Sequence, residues 1–328
     1  MKLINYLLRI LPPEIAHSIA LHSLNILYKL RLVNLFFPVQ QSNSDFRYKD
    51  LIFKNRLGIA AGLDKNGDYI DALGALGFGF LEVGTITPLP QPGNAKPRMF
   101  RFANQKAIIN RLGFNNKGVD YLVEKIKFRK FKGIVGVNIG ANKDSEGQKR
   151  IDDYVECFEK VSLYSDYITI NISSPNTPNL RALHAKENFL PLFDALHQAR
   201  QKTKYVNPIF IKLSPDEDSE AIAQIVYAIK KFNFDGLIAS NTTLDRKNLK
   251  DNSNQDHSGG LSGKPLFNKS NELLRVTHKQ DQNLIKIGVG GVFNKEDFHK
   301  KLELGASLVQ IYTSFIYEGP RIIRELLK

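Results

Sequence analysis

Cysteine is almost absent from this sequence of 328 residues, which contains only Cys157. A single cysteine excludes an internal disulfide and is typical of proteins that fold in a reducing compartment. Long apolar runs are also missing, and none approaches the roughly 18 residues that a helix needs to cross a bilayer. Histidine, cysteine and carboxylate residues do not cluster at the spacing of metal ligands, so the sequence predicts no metal site.

Acidic residues are scarce relative to basic ones. Lys and Arg total 46 against 33 Asp and Glu, which gives a formal charge of +13 and a sequence pI near 9.5. This excess favours anionic partners, namely phosphorylated ligands, nucleic acid or an acidic lipid surface. The basic residues are spread along the chain without a zinc-finger spacing or another nucleic-acid motif, so we expect no nucleic-acid partner.

Residues 1–40 form a separate helical segment at the N-terminus. The apolar spacing predicts two short helices divided by the proline pair 12–13, and the second helix carries Ile15, Ile19, Leu24 and Leu27. The prolines and the lack of a small-residue cleavage site argue against a signal peptide. The segment is either a helical hairpin packed on the main domain or a monotopic anchor, with apolar faces in the lipid boundary and cations on acidic headgroups.

From residue 41 to residue 328, strand-like runs alternate with helical ones. Eight strands are predicted at Leu57–Gly62, Leu81–Thr85, Ile134–Ile139, Tyr167–Ile172, Ile209–Leu213, Gly236–Ser240, Ile285–Gly290 and Ser307–Tyr312. Helical patterns stand between most of them, for example at Ile151–Tyr164 and Ser219–Lys231. Eight βα units in about 270 residues favour an α/β fold of the (β/α)8 TIM-barrel type over an open sheet.

Polar side chains follow the carboxyl ends of most predicted strands. The clearest case is the stretch 167–181, where a buried strand gives way to serines, asparagines and prolines that cannot extend it. Lys65, Asn138 and Lys212 stand at the ends of other strands. Because the carboxyl ends of barrel strands build one site, these groups predict a shared ligand site.

Glycine-rich turns after the last strands predict a phosphate site. Residues 288–291 follow the seventh strand, residues 312–314 follow the eighth, and the glycines of 259–263 add a further lip. The insertion 85–118 is too long for a simple connector and predicts a lid or binding wall over the barrel mouth. These residues leave open a phosphate-binding lyase or isomerase that uses Lys212 as a Schiff-base nucleophile, and a noncatalytic basic membrane-binding protein.

Several long motifs resemble those of one enzyme family. They are AAGLDKNG, EVGTITPLPQPGNAKPRMFR, NRLGFNN, NISSPNTPNLR, IKLSPD, ASNTT, GGLSGKPL, GVGG and QIYTSFIYEGP. Together they are similar to the membrane-associated, quinone-dependent (class 2) dihydroorotate dehydrogenases, and the similarity extends to the N-terminal helices. It implies a barrel that holds FMN, oxidises (S)-dihydroorotate to orotate in de novo pyrimidine (UMP) biosynthesis and passes electrons to a membrane quinone. It also implies a peripheral location on the cytoplasmic face of a bacterial membrane, with the N-terminal helices of residues 1–40 on the acidic lipid surface. These helices would also give the quinone access to the flavin through an apolar tunnel.

The resemblance implies roles for individual residues. Ser174 would be the base that removes the C5 proton of dihydroorotate, and Thr177 and Phe114 would flank its proton path. The substrate-binding residues would be Lys65, Asn110, Arg111, Leu112, Gly113, Phe114, Asn115, Asn171, Asn176, Asn241 and Thr242. FMN would be held by Ala61, Gly62, Lys65, Thr85, Asn138, Asn171, Lys212, Ser240, Gly263, Gly291, Tyr312 and Thr313, with Lys212 stabilising negative charge on the reduced ring.

The sequence departs from the family pattern in two places. Asn179 stands where glycine is usual, and Ala141 replaces a frequent lysine. Neither position touches the implied chemistry. The rival within the same chemistry is another FMN barrel or a fumarate- or NAD-linked relative, which would carry cysteine at position 174. The serine there and the N-terminal helices favour the quinone-dependent class.

Overall fold

The computed structural model describes residues 10–40, 45–176, 186–249 and 257–328. Its strands are β1 Phe46–Tyr48, β2 Leu51–Phe53, β3 Leu57–Ile59, β4 Phe80–Ile86, β5 Met99–Phe102, β6 Ala107–Asn110, β7 Ile134–Ile139, β8 Tyr167–Asn171, β9 Ile209–Leu213, β10 Gly236–Ala239, β11 Gly260–Gly263, β12 Ile285–Val289 and β13 Leu308–Ile311. The helices are α1 Pro13–Lys29, α2 Val33–Phe36, α3 Ile70–Gly74, α4 Val119–Lys127, α5 Gly147–Val161, α6 Lys186–Thr203, α7 Ser219–Lys231, α8 Phe267–Gln280, α9 Lys295–Glu303, α10 Thr313–Glu318 and α11 Arg321–Leu326.

Eight of the strands close into a parallel barrel. Their order is β3, β4, β7, β8, β9, β10, β12 and β13, and β13 pairs with β3 to close the ring. These are the eight strands that the sequence predicts, and their ends lie within three residues of the predicted ones. The predicted (β/α)8 barrel is therefore confirmed.

Aromatic rings fill the amino-terminal half of the barrel. Phe53, from the β1–β2 hairpin beneath the barrel, packs edge to face against Phe80 at 5.4 Å between ring centroids. Tyr167 continues the stack and contacts Phe210 at 5.4 Å. A Cβ atom at Gly136 would lie only 2.0–2.4 Å from atoms of the Tyr167 ring, so glycine on β7 makes room for this tyrosine. Because these rings fill the amino-terminal end, the barrel is open at the carboxyl ends of its strands.

A small antiparallel sheet stands over the open end. β5 and β6 come from the long insertion after β4, and β11 adds the glycine-rich segment that follows β10. Asn110 pairs with Met99 on one side and with Gly260 on the other. The insertion thus supplies an ordered wall of the barrel mouth.

The helix α1 packs against α3 and β5 at the side of this mouth. It begins at Pro13, which is favourable in the first turn because proline lacks a backbone donor. Its predicted apolar positions divide between two faces: Leu24 is buried, whereas Ile15 and Ile19 are exposed. The predicted helix before the proline pair lies almost wholly outside the described residues. Within the described ranges, no helix is both long and apolar enough to cross a membrane.

Candidate active site

A cavity with about 960 Å³ of empty space, counted to its open mouth, lies at the carboxyl ends of the barrel strands. Most residues proposed from the sequence line it. They are Ala61, Gly62, Lys65, Thr85, Asn110, Leu112, Gly113, Phe114, Asn171, Ser174, Asn176, Lys212, Ser240, Asn241, Thr242, Gly263, Gly291, Tyr312 and Thr313. The structure therefore brings these residues together from most of the barrel strands and from the wall above them.

Three other proposed residues that the structure describes do not line this cavity. Arg111 turns away from the cavity, because its guanidinium donates to Ser258 Oγ at 2.8 Å and to the Pro97 carbonyl at 2.9 Å. Asn115 lines a second cavity, and Asn138 lies behind the cavity wall. Thr177 is outside the described residues. The side chains of Arg111 and Asn138 are thus bonded to protein groups, and their contact with a ligand stays a prediction.

Ser174 follows β8 where the strand gives way to the serine- and proline-containing loop. Its side chain lines the cavity although the residue is only 5% exposed. Ser174 Oγ accepts the backbone N–H of Asn176 at 3.2 Å, which holds the loop in a tight turn. Neither a histidine nor a carboxylate is among the described residues that line this cavity. Among the residues that the structure describes here, Ser174 therefore has no ordinary general base beside it.

Two lysines give the cavity a positive charge. Lys65 Nζ donates to the carbonyl of Gly62 at 3.0 Å, and burial followed by the charge of Arg98 lowers the pKa of Lys65 to about 8. Burial also lowers the pKa of Lys212, and the charge of Glu82 opposes that shift. Because an anion restores the charge balance of buried ammonium groups, the cavity favours negatively charged ligands.

Amide and hydroxyl groups form a bonded chain along one wall. Thr85 Oγ1 donates to Asn138 Oδ1 at 2.6 Å, and Asn171 Nδ2 contacts Thr85 Oγ1 at 3.0 Å and Asn138 Oδ1 at 3.2 Å. Asn241 Nδ2 reaches Asn171 Oδ1 at 3.3 Å. Asn176, on the opposite side, donates to Asn110 Oδ1 at 3.3 Å and leaves its own buried Oδ1 without a partner among the described residues. These amides can bind a ring that carries both donors and acceptors.

Glycines form the end of the cavity near β11, β12 and β13. Gly263 has φ +97° and Gly291 has φ +78°, both in the region that favours glycine. A Cβ on Gly291 would lie 2.5–2.8 Å from Phe267, and one on Gly263 would lie 2.1 Å from the Lys106 carbonyl oxygen. This end therefore exposes backbone and can take a phosphate group.

A second cavity, with about 710 Å³ of empty space counted to its open mouth, lies between α1 and the barrel. Glu14 and His17 of α1 face it, and Lys65 and Tyr312 line both cavities. Glu14 Oε1 pairs with the buried Arg98, at 2.9 Å from Nη2 and 3.0 Å from Nε. Burial, followed by the charge of Lys65, lowers the pKa of His17 to about 4, so its imidazole is neutral at pH 7. The sequence does not predict Glu14, His17 and Arg98 as site residues, because Glu14 and His17 are two of several polar residues on α1 and Arg98 belongs to the insertion just before β5.

Comparisons with known proteins agree with this architecture. The family model for dihydroorotate dehydrogenase matches residues 45–328. The chain is 45% identical over 321 residues to the dihydroorotate dehydrogenase (quinone) of Saccharophagus degradans, covering 96% of this chain and 94% of that protein. It is also 45% identical to the Buchnera aphidicola protein of the same name, with 99% and 98% covered.

Solved structures give the same result. A ligand-free dihydroorotate dehydrogenase from Eimeria tenella superposes with a TM-score of 0.88 at 34% identity, covering 96% of this chain and 92% of that chain. The complex of the Eimeria tenella enzyme with ferulenol has a TM-score of 0.85 at 34% identity, with 96% and 89% covered. With its closed barrel, its mouth cavity and similarity along nearly its whole length, the chain belongs to the quinone-dependent dihydroorotate dehydrogenases, flavin-dependent enzymes that oxidise dihydroorotate in pyrimidine biosynthesis.

Proposed function

We propose that the flavin is FMN and that it occupies the barrel-mouth cavity. The observation that carries this proposal is one cavity with glycines at one end, bonded amides along a wall and two lysines among its lining residues. Gly263, Gly291 and Thr313 would hold the phosphate, and Lys212 would stand by the ring system. Bound FMN supplies the hydride acceptor, which later passes electrons to the quinone.

Dihydroorotate would bind in the same cavity beneath the wall formed by the insertion. The ammonium of Lys65 would pair with its carboxylate, and the amides of Asn110, Asn176 and Asn241 would hold its ring. Ser174 would accept the C5 proton. Phe114, which is 8% exposed, excludes water from the part of the cavity that Ser174 lines. The proton would therefore leave along a path flanked by Phe114 and Thr177.

The second cavity would admit the quinone. It opens between α1 and the barrel, and it shares Lys65 and Tyr312 with the first cavity, so an acceptor there would approach the flavin site. Glu14, Arg98 and His17 offer it polar groups, while Leu21 and Leu63 give the apolar lining that a quinone ring requires.

The N-terminal segment 1–40 would bring this cavity to the membrane. The helix α1 exposes Ile15, Ile19 and Ile26, and Leu35 and Phe36 are exposed beyond it. An exposed apolar face with basic neighbours is the pattern of a monotopic helix that lies in the lipid boundary. We therefore propose peripheral attachment to an acidic surface, on the cytoplasmic face, with residues 41–328 as the FMN-binding barrel.

The cofactor proposal is tested by denaturing the purified protein and identifying the released flavin by chromatography and mass. We expect FMN at one molecule per chain. Release of FAD, or a protein that neither contains nor takes up FMN, would overturn the proposal while leaving the family assignment intact.

A further inference from the structure

Glu82 is a buried carboxylate at the centre of the barrel, and it is not among the residues that line the cavity. Its Oε1 accepts a hydrogen bond from Asn138 Nδ2 at 2.8 Å. Its Oε2 accepts from the Tyr167 hydroxyl at 3.0 Å and from Gln310 Nε2 at 2.7 Å. An ionised carboxylate has only acceptors, so every group that faces it must present a donor. Glu82 therefore holds the NH2 end of each neighbouring amide towards its own carboxylate.

Asn138 is the first residue that links Glu82 to the wall of the cavity. With Nδ2 held by Glu82, Asn138 turns Oδ1 to Thr85 and Asn171. Thr85 has one hydroxyl hydrogen and uses it on Asn138 at 2.6 Å, so its oxygen can offer only a lone pair to the cavity that it lines. Asn171 in turn directs its Nδ2 to Thr85 and its Oδ1 towards Asn241.

Gln310 is the second residue that links Glu82 to the cavity. Its Nε2 is held by Glu82, which leaves Oε1 as the free end of the amide. That oxygen is buried without a partner among the described residues, and Gln310 lines the cavity. A buried acceptor without a partner is costly, and a ligand donor would satisfy it.

We propose that Glu82 is a positioning residue that sets the hydrogen-bond polarity of the cavity wall, so that Thr85 and Gln310 offer acceptors to an N–H donor of the bound ring. The identity of the ring as the flavin of FMN rests on the proposed function. The polarity itself follows from the protein groups alone. The charge of Glu82 also opposes the lowering of the Lys212 pKa that burial causes.

Two isosteric substitutions and their combination test this polarity. Glu82→Gln places an amide donor either against Asn138 Nδ2, from which the mismatch passes to Thr85 and Asn171, or against Tyr167 and Gln310. Asn138→Asp places two carboxylates in contact. In the double variant, the new amide at position 82 can donate to the carboxylate at position 138 and accept from Tyr167 and Gln310, so every bond regains a donor and an acceptor. Glu124→Gln, the same change at an exposed ion pair, is the matched control.

The measurements are the melting temperature of the flavin-free protein and the Kd for added FMN from quenching of flavin fluorescence. We expect each single variant to melt lower than wild type and to bind FMN about tenfold or more weakly, since each leaves buried groups mismatched. The double variant should recover most of both losses, which a role in filling space would not produce.

Additive losses in the double variant, or a Glu82→Gln protein that matches Glu124→Gln in both measurements, would overturn the proposal. Failure of wild type to bind FMN would instead reject the proposed cofactor. In that case the melting temperatures of the flavin-free wild type, the two single variants and the double variant would still decide whether Glu82 sets the polarity.

Discussion

Orotate should bind less tightly as the pH rises above about 8, because its carboxylate needs the ammonium form of Lys65. In the ligand-free protein the pKa of Lys65 is lowered to about 8, chiefly by burial and then by the charge of Arg98. Glu14 and Asp64 oppose the shift without cancelling it. The carboxylate of a bound ligand would raise this pKa, so binding above pH 8 must take up a proton.

The size of the effect follows from this pKa. At pH 7 about nine tenths of Lys65 carries a proton, and at pH 9 about one tenth does. The Kd for orotate should therefore be nearly constant below pH 7 and rise about tenfold between pH 7 and pH 9. The rise should stop only where the pH passes the higher pKa of the complex.

The assay is a titration of the flavin absorbance spectrum with orotate at each pH. Lys65→Arg is the matched variant, because a guanidinium keeps its charge throughout this range. Its Kd should be flat between pH 7 and pH 9, whatever its absolute value. A wild-type Kd that does not change over the range, or the same slope in Lys65→Arg, would refute the pairing of Lys65 with the carboxylate.

Three further predictions concern the base, the phosphate end and the membrane face. Ser174→Ala should lower the rate of flavin reduction by dihydroorotate about 10²–10⁴-fold at neutral pH, with the affinities for FMN and orotate unchanged. A near-normal rate in stopped-flow absorbance would contradict the role of Ser174 as base. In a flavin-content assay Gly291→Ala should have lost FMN, because the new Cβ would lie 2.5–2.8 Å from the first residue of α8. The control Gly147→Ala, also at positive φ but with nothing within 4 Å of the new Cβ, should retain FMN. Ile19→Glu should weaken flotation with anionic vesicles and spare flavin reduction. The control Leu163→Glu, at a more exposed site on the barrel, should change neither. Equal effects of the two substitutions on flotation would argue against attachment through α1.

The barrel could be predicted from sequence because its signals are local. Each strand is a short apolar run such as Ile209–Leu213, bounded by polar or glycine residues, and α7 Ser219–Lys231 has the predicted bounds. The small sheet of β5, β6 and β11 was not predicted as a sheet. Its strands come from segments more than 140 residues apart, and nothing in either segment alone specifies the pairing.

The site residues were predictable where a side chain stands at or beyond the carboxyl end of a strand and faces the cavity, as Lys212 and Lys65 do. Glu82 was missed because it stands within a strand, where the pattern shows only that the residue alternates with apolar neighbours. Its importance arises from Asn138 and Gln310, which the closed barrel brings to it from β7 and β13. The resemblance implies an apolar tunnel at the N-terminal helices, but the polar pair in the second cavity was missed for the same reason, since Glu14 of α1 and Arg98 meet only through tertiary packing.

The most direct measurement is the visible spectrum of the purified protein before and after anaerobic addition of dihydroorotate. The proposed function predicts a yellow protein whose flavin absorbance bleaches on addition and returns when a quinone is supplied. A flavin-loaded protein that does not bleach with dihydroorotate would contradict the assignment of the barrel-mouth cavity as the place where dihydroorotate is oxidised.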